Sequence, residues 1–175
     1  MTRRRPAPIV VTLLVAVLAV AGCGDAGSDV PPLHAEVDGL DETVVTLTTA
    51  DGEQVRVDAK VAATSAQQQR GLMRVPNLPA GTGMLFVFDT DRSGGFWMWE
   101  TLVPLDIAFA AADGTIHTIL AMDPCEATDP DDCPTYRPER PYRTALEVPQ
   151  GWLADQGVTE GDRLTWADPV RPSSP

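Results

Sequence analysis

Leu105-Asp106-Ile107-Ala108-Phe109-Ala110-Ala111-Ala112, then Asp113-Gly114, then Thr115-Ile116-His117-Thr118-Ile119-Leu120-Ala121-Met122 reads as a strand, a tight turn and a strand. Each run has strand length, and Asp-Gly between two apolar runs is a strong hairpin signal. Working outward, Met84-Leu85-Phe86-Val87-Phe88 is a continuous apolar run, as expected of a strand buried on both faces. Arg143–Val148 and Arg163–Trp166 predict two more strands toward the C-terminus. Toward the N-terminus, Thr43-Val44-Val45-Thr46-Leu47 is rich in β-branched residues, and Val55-Arg56-Val57-Asp58 alternates, with Lys60-Val61 continuing it. Asp51-Gly52 between them predicts a second hairpin. Phe96-Trp97-Met98-Trp99 predicts a further strand. Thr64 followed three residues later by Gln67 is a capping-box start for a short helix ending near Gly71. A second short helix is expected around Trp152–Gln156. About eight short strands with frequent turns and two small helices argue for an all-β fold, a compact sandwich or barrel-like single domain.

The N-terminus reads differently. Arg3, Arg4 and Arg5 precede Ile9–Val20, an apolar run broken only by Thr12. That run falls short of the ~20 residues a helix needs to cross a ~30 Å hydrocarbon core. A basic head, a short apolar segment and small residues describe a secretory signal peptide. Val20-Ala21-Gly22-Cys23 resembles the lipobox of bacterial lipoproteins, which implies cleavage before Cys23 and lipid on its thiol. Two or three acyl chains anchor stably where one is marginal. The expected organisation is a signal peptide over residues 1–22, a flexible tether over 23–41, a β domain over 42–167 and a disordered tail over 168–175. The chain would then sit outside the cytoplasm on the cell membrane, facing an envelope ligand or protein not named by the sequence.

Charge narrows the partners. The net charge is −12, and loss of residues 1–22 removes three arginines and no acid, leaving −15. Such a chain is a poor partner for nucleic acid, whose binding rests on neutralising phosphates. With Cys23 taken by lipid, Cys125 and Cys133 remain as an even pair, and outside the cytoplasm a disulfide is expected. Their spacing matches neither the usual zinc spacings nor C-x-x-C.

Four segments carry a resemblance. Arg70-Gly71-Leu72-Met73, Gly83–Phe88, Phe96-Trp97-Met98-Trp99-Glu100-Thr101-Leu102-Val103-Pro104-Leu105-Asp106-Ile107, and Ala145-Leu146-Glu147-Val148 with Gly157–Leu164 resemble, in order and spacing, the DUF192 (UPF0127) family, from about Thr43 to Trp166. The resemblance implies a single β-rich, often exported domain and no established activity. The chain departs from the commonest pattern at Trp99-Glu100, where many relatives carry Lys-Asn.

The candidate ligand surface is Trp97, Trp99, Glu100 and Asp106. On a strand Phe96 and Met98 share one side and Trp97 and Trp99 the other. One pair fills the core and the other can offer a flat platform for a ligand such as a sugar or quaternary amine. Asp106 lies between apolar neighbours, and a buried carboxylate needs donors or a cation; Arg70, Arg74 and Arg143 are the candidate cations, and a structural ion pair or turn cap is the plainer role. With Glu100 or Glu147 it could instead form an acid–base pair, making the protein an envelope hydrolase. A third possibility is soft-metal (copper) binding by Met73, Met84, Met98, Met122 and His117, although no Met-x-Met or His-x-x-His cluster supports it. Calcium at Asp123, Glu126, Asp129, Asp131 and Asp132 matches no EF-hand order. Nothing resembles a phosphate loop or a nucleophile elbow. The sequence therefore favours a binding or accessory module without a cofactor over an enzyme.

Overall fold

In a computed structural model, the structure describes Val37 and residues 39–168. Cys23, the expected signal peptide and most of the expected tether lie outside the described residues, as do residues 169–175.

The expected hairpins form. β1 (Glu42–Thr48) runs antiparallel to β2 (Gln54–Ala62), with Val45 opposite Val57. β5 (Leu105–Ala110) runs antiparallel to β6 (Ile116–Met122) across a turn at Gly114. β3 (Thr82–Arg92) lies parallel to β2, and a parallel pair needs a crossover. Here α1 (Ser65–Arg70) and the segment after it supply the crossover. The helix starts where its capping box sits: the Thr64 hydroxyl accepts the Gln67 N–H, and the Gln67 side chain accepts the Thr64 N–H at 2.9 Å. β8 (Tyr142–Pro149) pairs with both β3 and β5, and β9 (Arg163–Trp166) pairs with β1.

The result is one seven-stranded sheet in the order β6-β5-β8-β3-β2-β1-β9. It curls into a half-barrel, so the fold is the barrel-like form of the expected all-β domain, with the two expected helices. The curl brings the two end strands together: Thr115 bridges Arg163, and the Ile116 and Leu164 N–H groups donate to Asp162 and Gly114 carbonyls at 2.8 and 2.7 Å. Gly114 is required there. Its φ is +85°, and a Cβ would sit 2.3 Å from the Leu164 oxygen.

Side-chain alternation then builds two cores. On one face Met84, Phe86, Leu105, Ile107, Phe109 and Ala145 pack under Leu72, Val75, Leu78 and Met98. On the other, Leu85, Ala108, Leu146 and Val148 meet Val45, Leu47 and Val57 across the curl, closed by Leu153 and Leu164. Every residue of β5 is buried, which explains its unbroken apolar sequence.

The expected Phe96–Trp99 strand is shorter than the sequence suggests. β4 is Phe96–Trp97 alone, paired with β7 (Thr135–Tyr136). Met98 turns into the first core, and Glu100 takes a left-handed φ of 53°. Between Met98 and β7 the disulfide Cys125–Cys133 forms, with the Cys125 N–H donating to the Met98 carbonyl. A short 3-10 turn at Pro130–Asp132, capped by Asp129, leads into Cys133. The disulfide loop thus holds β7 against β4.

Candidate functional site

β3 is longer than the strand beside it. β2 ends at Ala62 opposite Phe86, so Val87–Arg92 project past the parallel pairing. α1 occupies the space alongside, where Gln68 donates its side-chain amide to the Val87 carbonyl at 2.8 Å. Beyond that contact a cleft of about 600 Å³ opens between α1 and the β3–β4 connection. Phe88, Phe96, Trp97 and Tyr142 give it an aromatic lining; Ser65, Gln68, Gln69, Asp91, Arg92 and Ser93 supply polar walls.

Most of these rings are fixed by packing. Phe88 and Phe109 meet Tyr142 edge-on at centroid distances of 5.5 and 4.9 Å, and Phe96 meets Phe86 at 4.9 Å. Such contacts add to area burial. The Tyr142 hydroxyl donates to the Gly94 carbonyl at 3.2 Å, and burial pushes its pKa up. Trp97 is the exception, 42 % exposed on β4. Arg92 places its guanidinium 5.3 Å from the Phe88 centroid, within cation–π range. Arg143 forks onto Asp91 at 2.9 and 2.8 Å.

Of the four candidate surface residues, Trp97 alone lines this cleft. Trp99 follows the end of β4 and is half-buried. Glu100 faces Arg74, which donates two parallel bonds at 2.9 and 2.8 Å and holds the carboxyl below its ordinary pKa. Arg74 also has a left-handed φ of 62°, and its N–H donates to the Glu100 carbonyl at 2.8 Å. Asp106 is 6 % exposed and accepts the Gly151 N–H at 2.8 Å. Burial raises its pKa, while N–H groups of Gly151 and Leu153 act the other way. It therefore serves as a cap for the start of α2 (Trp152–Asp155), and not as a partner of Arg74 or Arg143.

Asp106 and Glu147 cannot act as a pair. Asp106 shares the face of Ala108, toward the second core, whereas Glu147 faces away from Leu146 toward the first, beside Met84 and Ile107. The two carboxyls lie on opposite faces of one sheet. Glu147 is 4 % exposed, and burial pushes its pKa up to about 8. Met84, Met98 and Met122 share the first core with no exposure, as methionines do in packing gaps. His117 lies elsewhere, between Thr118 Oγ1 at 3.0 Å and the Pro141 carbonyl at 3.1 Å, with its pKa lowered by burial. Among the described residues no three His, Cys, Asp or Glu side chains are arranged to hold a metal.

Sequence reasoning missed Phe88, Arg92, Tyr142 and the two glutamines. Arg92 lies over the Phe88 ring across the register shift between Val87 and Arg92, and strand alternation carries no signal through such an irregularity.

Comparison with known proteins agrees with this fold. Residues 46–166 match the DUF192 family, an "Uncharacterized ACR" group. The chain belongs to the DUF192 family. The DUF192 domain resembles a solved Sinorhizobium meliloti 1021 protein, described as a candidate transcription regulator, at 33 % identity and a TM-score of 0.67. That match covers 73 % of this chain and 95 % of the other. A Novosphingobium aromaticivorans DSM 12444 protein of unknown function is similar at 32 % identity and a TM-score of 0.65, over 78 % of this chain and 92 % of its own. No curated protein matches the DUF192 chain.

Proposed function

We propose that this DUF192 protein is a lipid-anchored extracytoplasmic binding module, held to the membrane at Cys23, whose ligand enters the cleft beside Trp97. The carrying observation is the cleft itself, whose lining combines packed aromatic rings with one exposed indole. Its volume falls within the ~300–1,000 Å³ of small-molecule sites. The lipobox-like Val20-Ala21-Gly22-Cys23 and the Cys125–Cys133 disulfide support an exported location. The description of the Sinorhizobium neighbour as a regulator of transcription is not carried over, because a net charge of −12 opposes binding to the polyanionic backbone of nucleic acid. Hydrolysis by Asp106 with Glu147 finds no support in their opposed orientations.

Two measurements test this reading. Labelled palmitate is expected to enter the wild-type chain and not Cys23→Ala; equal labelling of both would remove the anchor. Titration of the protein with separated envelope fractions is expected to change Trp fluorescence saturably, with the change lost in Trp97→Ala. An unaltered response in that variant would remove the cleft as the binding site.

A further inference from the structure

We propose that the Trp97 cleft takes an acidic saccharide, with a sugar ring on the indole and its carboxylate or phosphate ester on Arg92. The inference rests on reading the cleft as the binding site and names the chemistry of its ligand.

Shape comes first. A sugar ring has an apolar C–H face and a rim of directional hydroxyls. Trp97 offers an exposed aromatic face on a strand fixed by β7, and such a rigid surface costs little entropy to use. Around it stand Ser65, Gln68, Gln69 and Ser93, neutral groups that both donate and accept. Beside them, Gly94 has nothing within 4 Å of where a side chain would begin, so a ring can approach the backbone there. A purely apolar ligand would desolvate Ser65, Gln69 and Ser93 without offering them partners, at a cost for each group.

Charge decides between neutral, cationic and anionic ligands. The chain as a whole is strongly negative, and the cleft lining carries one acid, Asp91, and one base, Arg92. Asp91 is neutralised by Arg143. The Arg92 and Arg137 guanidiniums are both close enough to Tyr142 to oppose the rise in its pKa. A quaternary amine would seek an aromatic face, but Arg92 already covers Phe88 and would repel a second cation. An anionic substituent gains a charge-assisted bond from the same guanidinium, and Arg is suited to carboxylate and phosphate alike. The cleft volume suits a short oligosaccharide better than a lone ion.

The test uses the full-length protein in detergent and Trp fluorescence, with trigalacturonate, a neutral galactose trisaccharide and inorganic phosphate as probes. Trigalacturonate is expected to bind about tenfold or more tightly than the neutral trisaccharide, as one charge-assisted contact warrants, and the preference should shrink as salt rises. Arg92→Gln is expected to abolish the preference while neutral binding persists, and Trp97→Ala to abolish both. Should Arg92→Gln melt early, the salt series on wild type reads the same contact. Equal affinity for the two trisaccharides overturns the acidic assignment. Phosphate competing as well as the trisaccharide at equal concentration shows an anion site only and overturns the saccharide. If both sugars fail while a basic peptide or an envelope fraction still gives a Trp97-dependent signal, the saccharide class falls and the binding module stands. A signal from every probe that is indifferent to Trp97→Ala overturns the binding site itself.

Discussion

Glu147 sets a pH dependence that belongs to one residue. Its carboxyl is buried against Met84 and Ile107, and its pKa rises to about 8 from an ordinary unfolded value near ~4.3. Between those values the folded state holds a proton that the unfolded chain has released. Stability therefore falls as pH rises through this window and is unaffected by this group below it. Glu147→Gln copies the protonated form, so its melting temperature is expected to exceed that of wild type at pH 8 and to vary less between pH 5 and 8. A thermal melt series across pH reads this directly; parallel curves for the two proteins would contradict it. Asp106 calls for a different change. Asp106→Ala removes the acceptor for the Gly151 N–H, and leaving a buried donor unpaired costs about 1–3 kcal/mol. Denaturant unfolding is expected to show that loss, with Asp106→Asn less affected because it keeps an acceptor oxygen.

The elements divide into those legible in sequence and those not. The strands were legible because apolar runs and alternation report burial on one or both faces, and β5 with no exposed residue is the plainest case. The capping box at Thr64 and Gln67 was legible because capping is local. Thr64→Ala is expected to cost about 1 kcal/mol in denaturant unfolding, the usual value of a lost N-cap, and to loosen the α1 wall of the cleft. The end of β4 was not legible, since nothing in Trp97-Met98-Trp99 marks the turn that Glu100 completes with a left-handed φ. That turn separates Trp97 from Trp99, Glu100 and Asp106. The site drawn from neighbours in sequence therefore came apart, and Trp97 found its company in Phe88 and Tyr142 from other strands. Such long-range proximity leaves no periodic trace in a single sequence.

At the scale of the molecule, closure is the feature that depends on most parts at once. The sheet ends meet at Gly114, where a Cβ would strike the Leu164 carbonyl and φ is positive. Gly114→Ala is expected to destabilise the protein by more than ~1 kcal/mol, since strain and clash act together. An unchanged melting temperature would mean that the seam between β9 and the turn before β6 yields freely. The disulfide works at the same scale. Reduction is expected to cost about 2–3 kcal/mol for a loop of this size. It should also shift the Trp97 emission, because Cys133 leads into β7, the strand paired with the one on which Trp97 sits.

The overhang of β3 beyond β2 carries a consequence for how such a domain can diverge. The second core is enclosed by the curled sheet and the first is covered by Leu72, Val75, Leu78 and Met98, whereas Ser65, Gln69, Arg92, Ser93 and Gly94 stand exposed on the projecting end and on α1. Substitutions at exposed positions of this kind usually change stability by less than ~0.5 kcal/mol. Selection can therefore rewrite the rim without disturbing the frame, so that descendants of one ancestor keep a single architecture while acquiring different tastes.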